Sequence, residues 1–191
     1  IVVPAGTRLG PAVIGVLAAV GRSEVAVAAR PKVAVLATGS ELAEPGQPLG
    51  PAQIRNSNAW QTVAQLTALG CAATYCGVVR DDLEALVTAI KAARVQSRVL
   101  VLSGGVSVGD FDLVPEALRR CGYQLLFEKV AMQPGKPTVF ARDQDGWCWG
   151  LPGNPVSAFV ACELLVKPFL RAAMGEAWQA RMVRAELGQA M

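Results

Sequence analysis

The chain has 191 residues, 52% of them apolar, and its 18 Lys and Arg outweigh 15 Asp and Glu to give a net charge of +3. That supports one sizeable core; the mild, scattered charge offers no basic stripe for nucleic acid, and no apolar run is clean enough for a membrane span, since the richest stretch, Val156 to Leu170, contains Glu163, Lys167 and Pro168. There is no histidine, which excludes Ser-His-Asp and Cys-His catalysis and His-based zinc motifs, leaving acid, base and metal work to Asp, Glu and Lys.

The start, Ile1-Val2-Val3-Pro4, has no Met, charged leader or cleavage signal and reads as a cut within a longer protein. Pro11 to Val20 is an apolar helix with Pro at its start and Gly21 as its stop. Lys32 to Ala37 is a buried strand whose continuous apolar run suits a parallel sheet covered on both faces. Thr38 to Gln53 is a Gly- and Pro-rich loop, and Asn56-Ser57-Asn58 offers N-caps for a helix from about Ala59 to Leu69, ended by Gly70. Ala72 to Val79 is a second strand. Asp81 is a candidate cap for a helix over Asp82 to Arg94, with Glu84 placed for a capping box and Leu83, Leu86, Val87 and Ile90 as its apolar face.

Arg98 to Leu102 is a third strand, and Val114 to Cys121 a short helix stopped by Gly122. Leu125 to Met132, Thr138 to Ala141 and Trp147 to Leu151 read as strands without long helices between them. Pro155 opens a long helix with Val156, Phe159, Val160, Leu164, Leu165 and Val166 expected on its core face. The alternation up to about residue 122 argues an α/β fold with a mostly parallel, doubly wound sheet. Residues 176–191 are helical or extended, and because a new segment starts near Arg181 the end at Met191 also reads as a cut. The five cysteines, Cys71, Cys76, Cys121, Cys148 and Cys162, include no C-x-x-C pair. Four lie in apolar or periodic runs, so buried free thiols in a reducing, cytosolic setting are expected.

Ligands of open α/β sheets bind beyond the C-terminal strand ends. The loops leaving such ends carry Gly39-Ser40-Glu41, Arg80-Asp81-Asp82, Ser103 to Asp112, and Gly150 to Pro155. In the third loop the Gly104-Gly105 pair lets a ligand approach the main chain closely, and Ser103, Ser107 and Gly109 join it as candidate binding residues. Asp110 and Asp112 suit a cation or a ring edge bearing N–H donors, or else cap the next helix. Glu41, Asp81 and Asp112 could together hold one hydrated Mg²⁺; equally, Glu41 could be a solvated loop acid and Asp81 a cap. Lys136, between Pro134-Gly135 and Pro137, and Lys129 are candidate cations for a phosphate or oxyanion, or plain surface charges. Pro152-Gly153-Asn154-Pro155 aims N–H groups and one amide at the same rim, and Thr38 and Gly39 join the binding set. Neither a Walker A loop nor a G-x-G-x-x-G run is present.

The ordered set Leu36 to Leu42, Pro45-Gly46, Gln53 to Asn58, Ser103 to Asp112, Lys129 to Pro137 and Gly150 to Ala158 resembles the molybdopterin molybdenumtransferase family, which includes MoeA and the E domain of gephyrin. The resemblance covers roughly residues 1–175. It implies a three-layer sandwich of the MoaB and Mog type and, as activity, insertion of molybdate into adenylylated molybdopterin with release of AMP. It implies Mg²⁺ as cofactor, molybdopterin-AMP and molybdate as small-molecule substrates, a cytoplasmic homodimer, and contact with the molybdopterin adenylyltransferase and other cofactor-biosynthesis proteins. Residues 1–30 then form a connector, 31–175 the molybdopterin-binding domain, and 176–191 the start of a truncated C-terminal β domain.

Carried over by motif, Glu41 and Asp81 are the implied metal ligands. Asp81, Asp112, Lys129 and Lys136 are the implied catalytic set, and Pro152 and Pro155 match the family's rim prolines. Ser40 stands where Asp is common and Gln133 where many relatives have Lys. Three alternatives share enough of these features to be weighed: an adenylyltransferase of the same fold, a non-catalytic molybdopterin-binding scaffold, and a nucleotide hydrolase resembling competence-damage proteins.

Overall fold

The computed structural model describes residues 1–106, 113–176 and 183. Its centre is a six-stranded sheet in the order β4-β1-β5-β8-β7-β6. The strands are β1 (Lys32–Thr38), β4 (Ala72–Val79), β5 (Val99–Ser103), β6 (Gln124–Phe127), β7 (Val139–Arg142) and β8 (Trp147–Leu151). Strands β4, β1, β5 and β8 run parallel, and β7 and β6 are added antiparallel at one edge. The mostly parallel α/β sandwich read from the sequence is thus the observed architecture. A separate two-stranded flap pairs β2 (Leu42–Ala43), inside the stretch read as loop, with β3 (Ile54–Arg55), just after it.

Strand β1 shows why its sequence is apolar without alternation. Val33, Val35 and Ala37 pack on one face of the sheet, Ala34 and Leu36 on the other, and none is more than 2% exposed. The first face is covered by helix α2 (Asn58–Leu69) and by the C-terminal helical run. The second is covered by α3 (Leu83–Gln96) and α4 (Val114–Arg120), with Leu86, Val87 and Ile90 of α3 in the core as expected. Each fully buried Leu, Ile or Val contributes roughly 1.5–3 kcal/mol, which fixes both layers on the sheet.

The C-terminal run comprises α5 (Pro155–Ala161), a π-helical turn (Cys162–Val166) and α6 (Lys167–Ala173). Pro168 has no N–H for the carbonyl four residues back, and the helix widens just before it so that the Lys167 N–H reaches Cys162 O. The buried stripe is therefore Ala158, Ala161, Cys162, Val166 and Leu170. Val156, Phe159 and Leu164, expected in the core, are instead exposed, because small side chains at 158, 161 and 162 let the helix sit close to the sheet on that face.

Two further expectations change. The strand read over Leu125 to Met132 ends at Phe127; beyond it Met132 N–H donates to Val130 O and Val130 N–H to Lys136 O, which makes a turn. The N-cap of α3 is Asp82 rather than Asp81. Helix α1 (Pro11–Ala19) forms as read, yet none of its residues is buried. All five cysteines are free; Cys71, Cys148 and Cys162 are buried, and burial pushes the Cys162 thiol up to about 12. No helix among the described residues is long and apolar enough to cross a membrane.

Candidate functional site

The four parallel strands end on one rim, and the loops leaving β1, β4, β5 and β8 meet there around a cleft of about 220 Å³. Its floor is glycine for steric reasons. A Cβ on Gly104, whose φ is +97°, would lie 2.4 Å from Thr38 O. That backbone oxygen cannot move aside, so only glycine fits. Gly104 N–H donates to Leu151 O at 3.0 Å, and a Cβ on Gly153 would come within 4.0 Å of Gly104 Cα. The β5 and β8 loops are thereby in main-chain contact.

Two carboxylates enter this cleft. Asp82 caps α3 by accepting from Ala85 N–H at 2.8 Å, which frees its neighbour Asp81 to turn toward the rim. Asp81 accepts from Ser40 N–H at 2.8 Å and from Thr38 Oγ1 at 3.3 Å, while its own N–H donates to Ser40 Oγ at 3.0 Å. Glu41, exposed, folds back over Gly39, where a Cβ would lie 2.6 Å from Glu41 Oε2. With Thr38 and Ser103 the set of donors is all oxygen, which suits a hard divalent cation rather than a soft one. Among the described residues no group of three or more His, Cys, Asp and Glu side chains could enclose a metal.

A further wall comes from Leu42 and from Ile54 to Asn58, stretches that count in the family resemblance and of which Asn56 to Asn58 are read as helix caps. Leu42, Ile54, Arg55, Asn56, Ser57 and Asn58 all line the cleft. Asn58 Nδ2 donates to Gly153 O at 2.7 Å, joining this wall to the β8 loop. The signal in the sequence was the dense polar run Arg55-Asn56-Ser57-Asn58 leading into α2.

Of the expected site residues, Thr38, Gly39, Glu41, Asp81, Ser103, Gly104, Gly105, Gly153 and Pro155 converge on the cleft. Pro152 is buried. The Asn154 amide oxygen accepts from Ser157 N–H at 3.1 Å, so that side chain is the N-cap of α5. Lys129 and Lys136 are exposed and stand outside the lining; the turn carrying Lys136 rests on α5, with a Cβ at Gly135 placed 3.7 Å from Ser157 O. Ser107, Gly109, Asp110 and Asp112 lie outside the described residues.

Residues 34–172 match the protein family described as "Probable molybdopterin binding domain". The chain is 42% identical over 166 residues to the molybdopterin molybdenumtransferase of Bacillus subtilis, covering 87% of this chain and 39% of that protein. It is 41% identical over 175 residues to the enzyme of the same name from Staphylococcus epidermidis, covering 92% and 42%. A crystal structure of the molybdopterin biosynthesis MoeA protein from Pyrococcus horikoshii superposes with a TM-score of 0.80 at 37% identity, over 91% of this chain and 43% of that one. The chain thus spans about two fifths of the length of the relatives it matches.

Proposed function

The chain belongs to the molybdopterin-binding domain family, and on that premise we propose that its protein inserts molybdate into adenylylated molybdopterin with release of AMP. The observation that carries the reading is the convergence of Glu41 and Asp81 with the Gly104–Gly105 and Gly153 turns in one cleft. The glycine turns admit a phosphorylated ligand against the main chain. Glu41 and Asp81 would hold Mg²⁺, which commonly takes one or two protein carboxylates and completes its shell with water and phosphate oxygens. The cation would supply charge neutralisation at the phosphoanhydride.

The chain's own groups have separate tasks. Ser40 and Thr38 orient the Asp81 carboxylate through their hydrogen bonds. Thr38, Gly39, Ser103, Gly104, Gly105, Gly153 and Pro155 bind the ligand, with Pro152 and Asn154 shaping the β8 loop. Lys129 and Lys136 draw molybdate or phosphate toward the rim. Asp112 would meet the N–H-rich pterin edge, with Ser107, Gly109 and Asp110 assigned to ligand binding beside it. In this reading residues 31–175 are the binding domain, 1–30 a connector and 176–191 the start of a β domain, in a cytoplasmic homodimer that receives its substrate from an adenylyltransferase. Identity near 40% to molybdenumtransferases favours this over the adenylyltransferase alternative.

The test is an assay on the full-length protein with adenylylated molybdopterin and Mg²⁺. AMP should appear in proportion to molybdate, and this chain alone should bind ligand with little turnover. ATP-dependent adenylylation of molybdopterin would assign the other activity.

A further inference from the structure

Resting on that reading of the cleft, we propose that Glu44 is a positioning residue that holds the Arg55–Asn58 wall in place for ligand. Glu44 follows β2 in the flap and lines no part of the cleft itself. It nevertheless touches much of what positions that wall. Its Oε1 accepts from the Tyr75 hydroxyl and, at 3.5 Å, from Asn56 Nδ2. Its Oε2 accepts from Trp60 Nε1 at 3.3 Å, and its main-chain oxygen accepts from Arg55 Nη1 at 3.1 Å.

The cluster is closed by Asn56. Its Nδ2 donates to the Tyr75 oxygen at 2.8 Å, its N–H to Ala43 O at 2.8 Å, and its Oδ1 accepts from Ala59 N–H at 3.4 Å. Asn56 is 1% exposed. A buried amide with both ends engaged has one orientation, and it anchors a network whose Glu44 and Tyr75 are half-buried and whose Trp60 lies toward solvent. Tyr75 and Trp60 pack with ring centroids 4.7 Å apart, so the apolar side of the cluster is filled as well. Burial, then the Glu44 hydrogen bond and charge, raise the Tyr75 phenol well above its ordinary value and keep it a donor.

The mechanical consequence follows from topology. The flap has only two residues in each strand, which is marginal alone. Through Glu44 it is fastened to β4, whose far end leads into Asp81, and to the first turn of α2. Two walls of the cleft are therefore set relative to each other by one carboxylate that meets no ligand.

The experiment uses the full-length protein with AMP as probe in the presence of Mg²⁺. It compares wild type, Glu44→Ala, Tyr75→Phe and the double variant by calorimetric titration, with amide hydrogen exchange followed over Ile54–Trp60. Glu44→Ala and Tyr75→Phe should each weaken AMP about tenfold, the scale of losing one charge-assisted hydrogen bond. The double variant should be no weaker than Glu44→Ala alone, and exchange should accelerate in Ile54–Trp60 while β5 is unchanged. Arg94→Gln, at the opposite end of the sheet, is the structural control: it should lower the unfolding midpoint and leave AMP affinity unaltered. Should Glu44→Ala fail to fold, Glu44→Gln keeps the bulk but removes the charge and one of the two acceptors; it too should weaken AMP, and wild-type affinity in it overturns the proposal.

Wild-type affinity in Glu44→Ala, or losses that multiply in the double variant, overturns the proposal. If wild type itself does not bind AMP, the reading of the cleft fails, and the exchange arm decides Glu44's role alone. Acceleration confined to Ile54–Trp60 supports it, and uniform or absent acceleration overturns it.

Discussion

Ser40 and Asp81 are bonded to each other twice. Asp81 N–H donates to Ser40 Oγ at 3.0 Å, and Ser40 N–H donates to Asp81 Oδ2 at 2.8 Å. Residues 41 apart in sequence thereby lock the β1 loop to the β4 loop at the mouth of the cleft. The Ser40 hydroxyl makes this pairing mutual, whereas a carboxylate there would face Asp81 with like charge.

Removing the hydroxyl tests that lock. Ser40→Ala keeps its own N–H bond to Asp81 but leaves the Asp81 N–H without its oxygen, a loss of about 1 kcal/mol of order at the loop. Mg²⁺-dependent AMP affinity should fall several-fold, by titration, while the thermal midpoint moves little. Ser40→Asp should weaken it further through repulsion.

The neighbouring aspartates should separate stability from function. Asp82→Ala removes the N-cap of α3 and should cost about 1 kcal/mol in urea unfolding, with AMP release unchanged.

Gly104→Ala should be severely destabilising. The added methyl meets Thr38 O at 2.4 Å, and φ of +97° is strained for any L side chain. Left-handed strain and overpacking together amount to about 2–5 kcal/mol. Gly46→Ala is a useful comparison, because φ is also positive there and nothing lies within 4 Å of the new carbon; it should cost only the strain.

At the other end of the sheet Arg94 clamps the β7–β8 turn. Its Nε and Nη2 donate to Asp143 Oδ2 and Oδ1 at 2.7 and 2.6 Å, with the side chains 22% and 16% exposed. Although burial works to raise it, hydrogen bonds from Arg94 and from the Asp145 and Gly146 N–H groups hold the Asp143 carboxyl below its ordinary value. A depressed folded-state pKa adds stability that is complete above the unfolded value, near 3.9, and is lost as pH falls through the folded one. Arg94→Gln should therefore cost about 1–2 kcal/mol at neutral pH, discounted for partial exposure. The difference from wild type should shrink below about pH 4, as followed by urea unfolding across pH.

Much of the fold is legible in the residues, because β1, β5 and β8 are largely apolar and buried, and they, like the edge strand β4, are each followed by a Gly- or Asp-bearing loop. What was not legible is where chemistry and geometry compete. Asp81 and Asp82 are equally good caps by type; only the backbone entering α3 decides that Asp82 caps and Asp81 is free. The exposed face of the C-terminal helical run hides behind apolar Val156, Phe159 and Leu164, since the core takes small Ala158 and Ala161 at close approach. The Arg55–Asn58 wall is polar and short, and caps are the usual role of such residues, so its place at the cleft depends on the flap that β2 and β3 form.

The most direct measurement is AMP release by the full-length Asp81→Asn variant as molybdate and Mg²⁺ are varied, beside Asp82→Asn. The cleft described above predicts that Asp81→Asn folds normally yet releases AMP at least about a hundredfold more slowly, the scale of losing one transition-state charge contact, while Asp82→Asn retains the wild-type rate. Equal rates in wild type and Asp81→Asn, or AMP release that ignores molybdate, would contradict it.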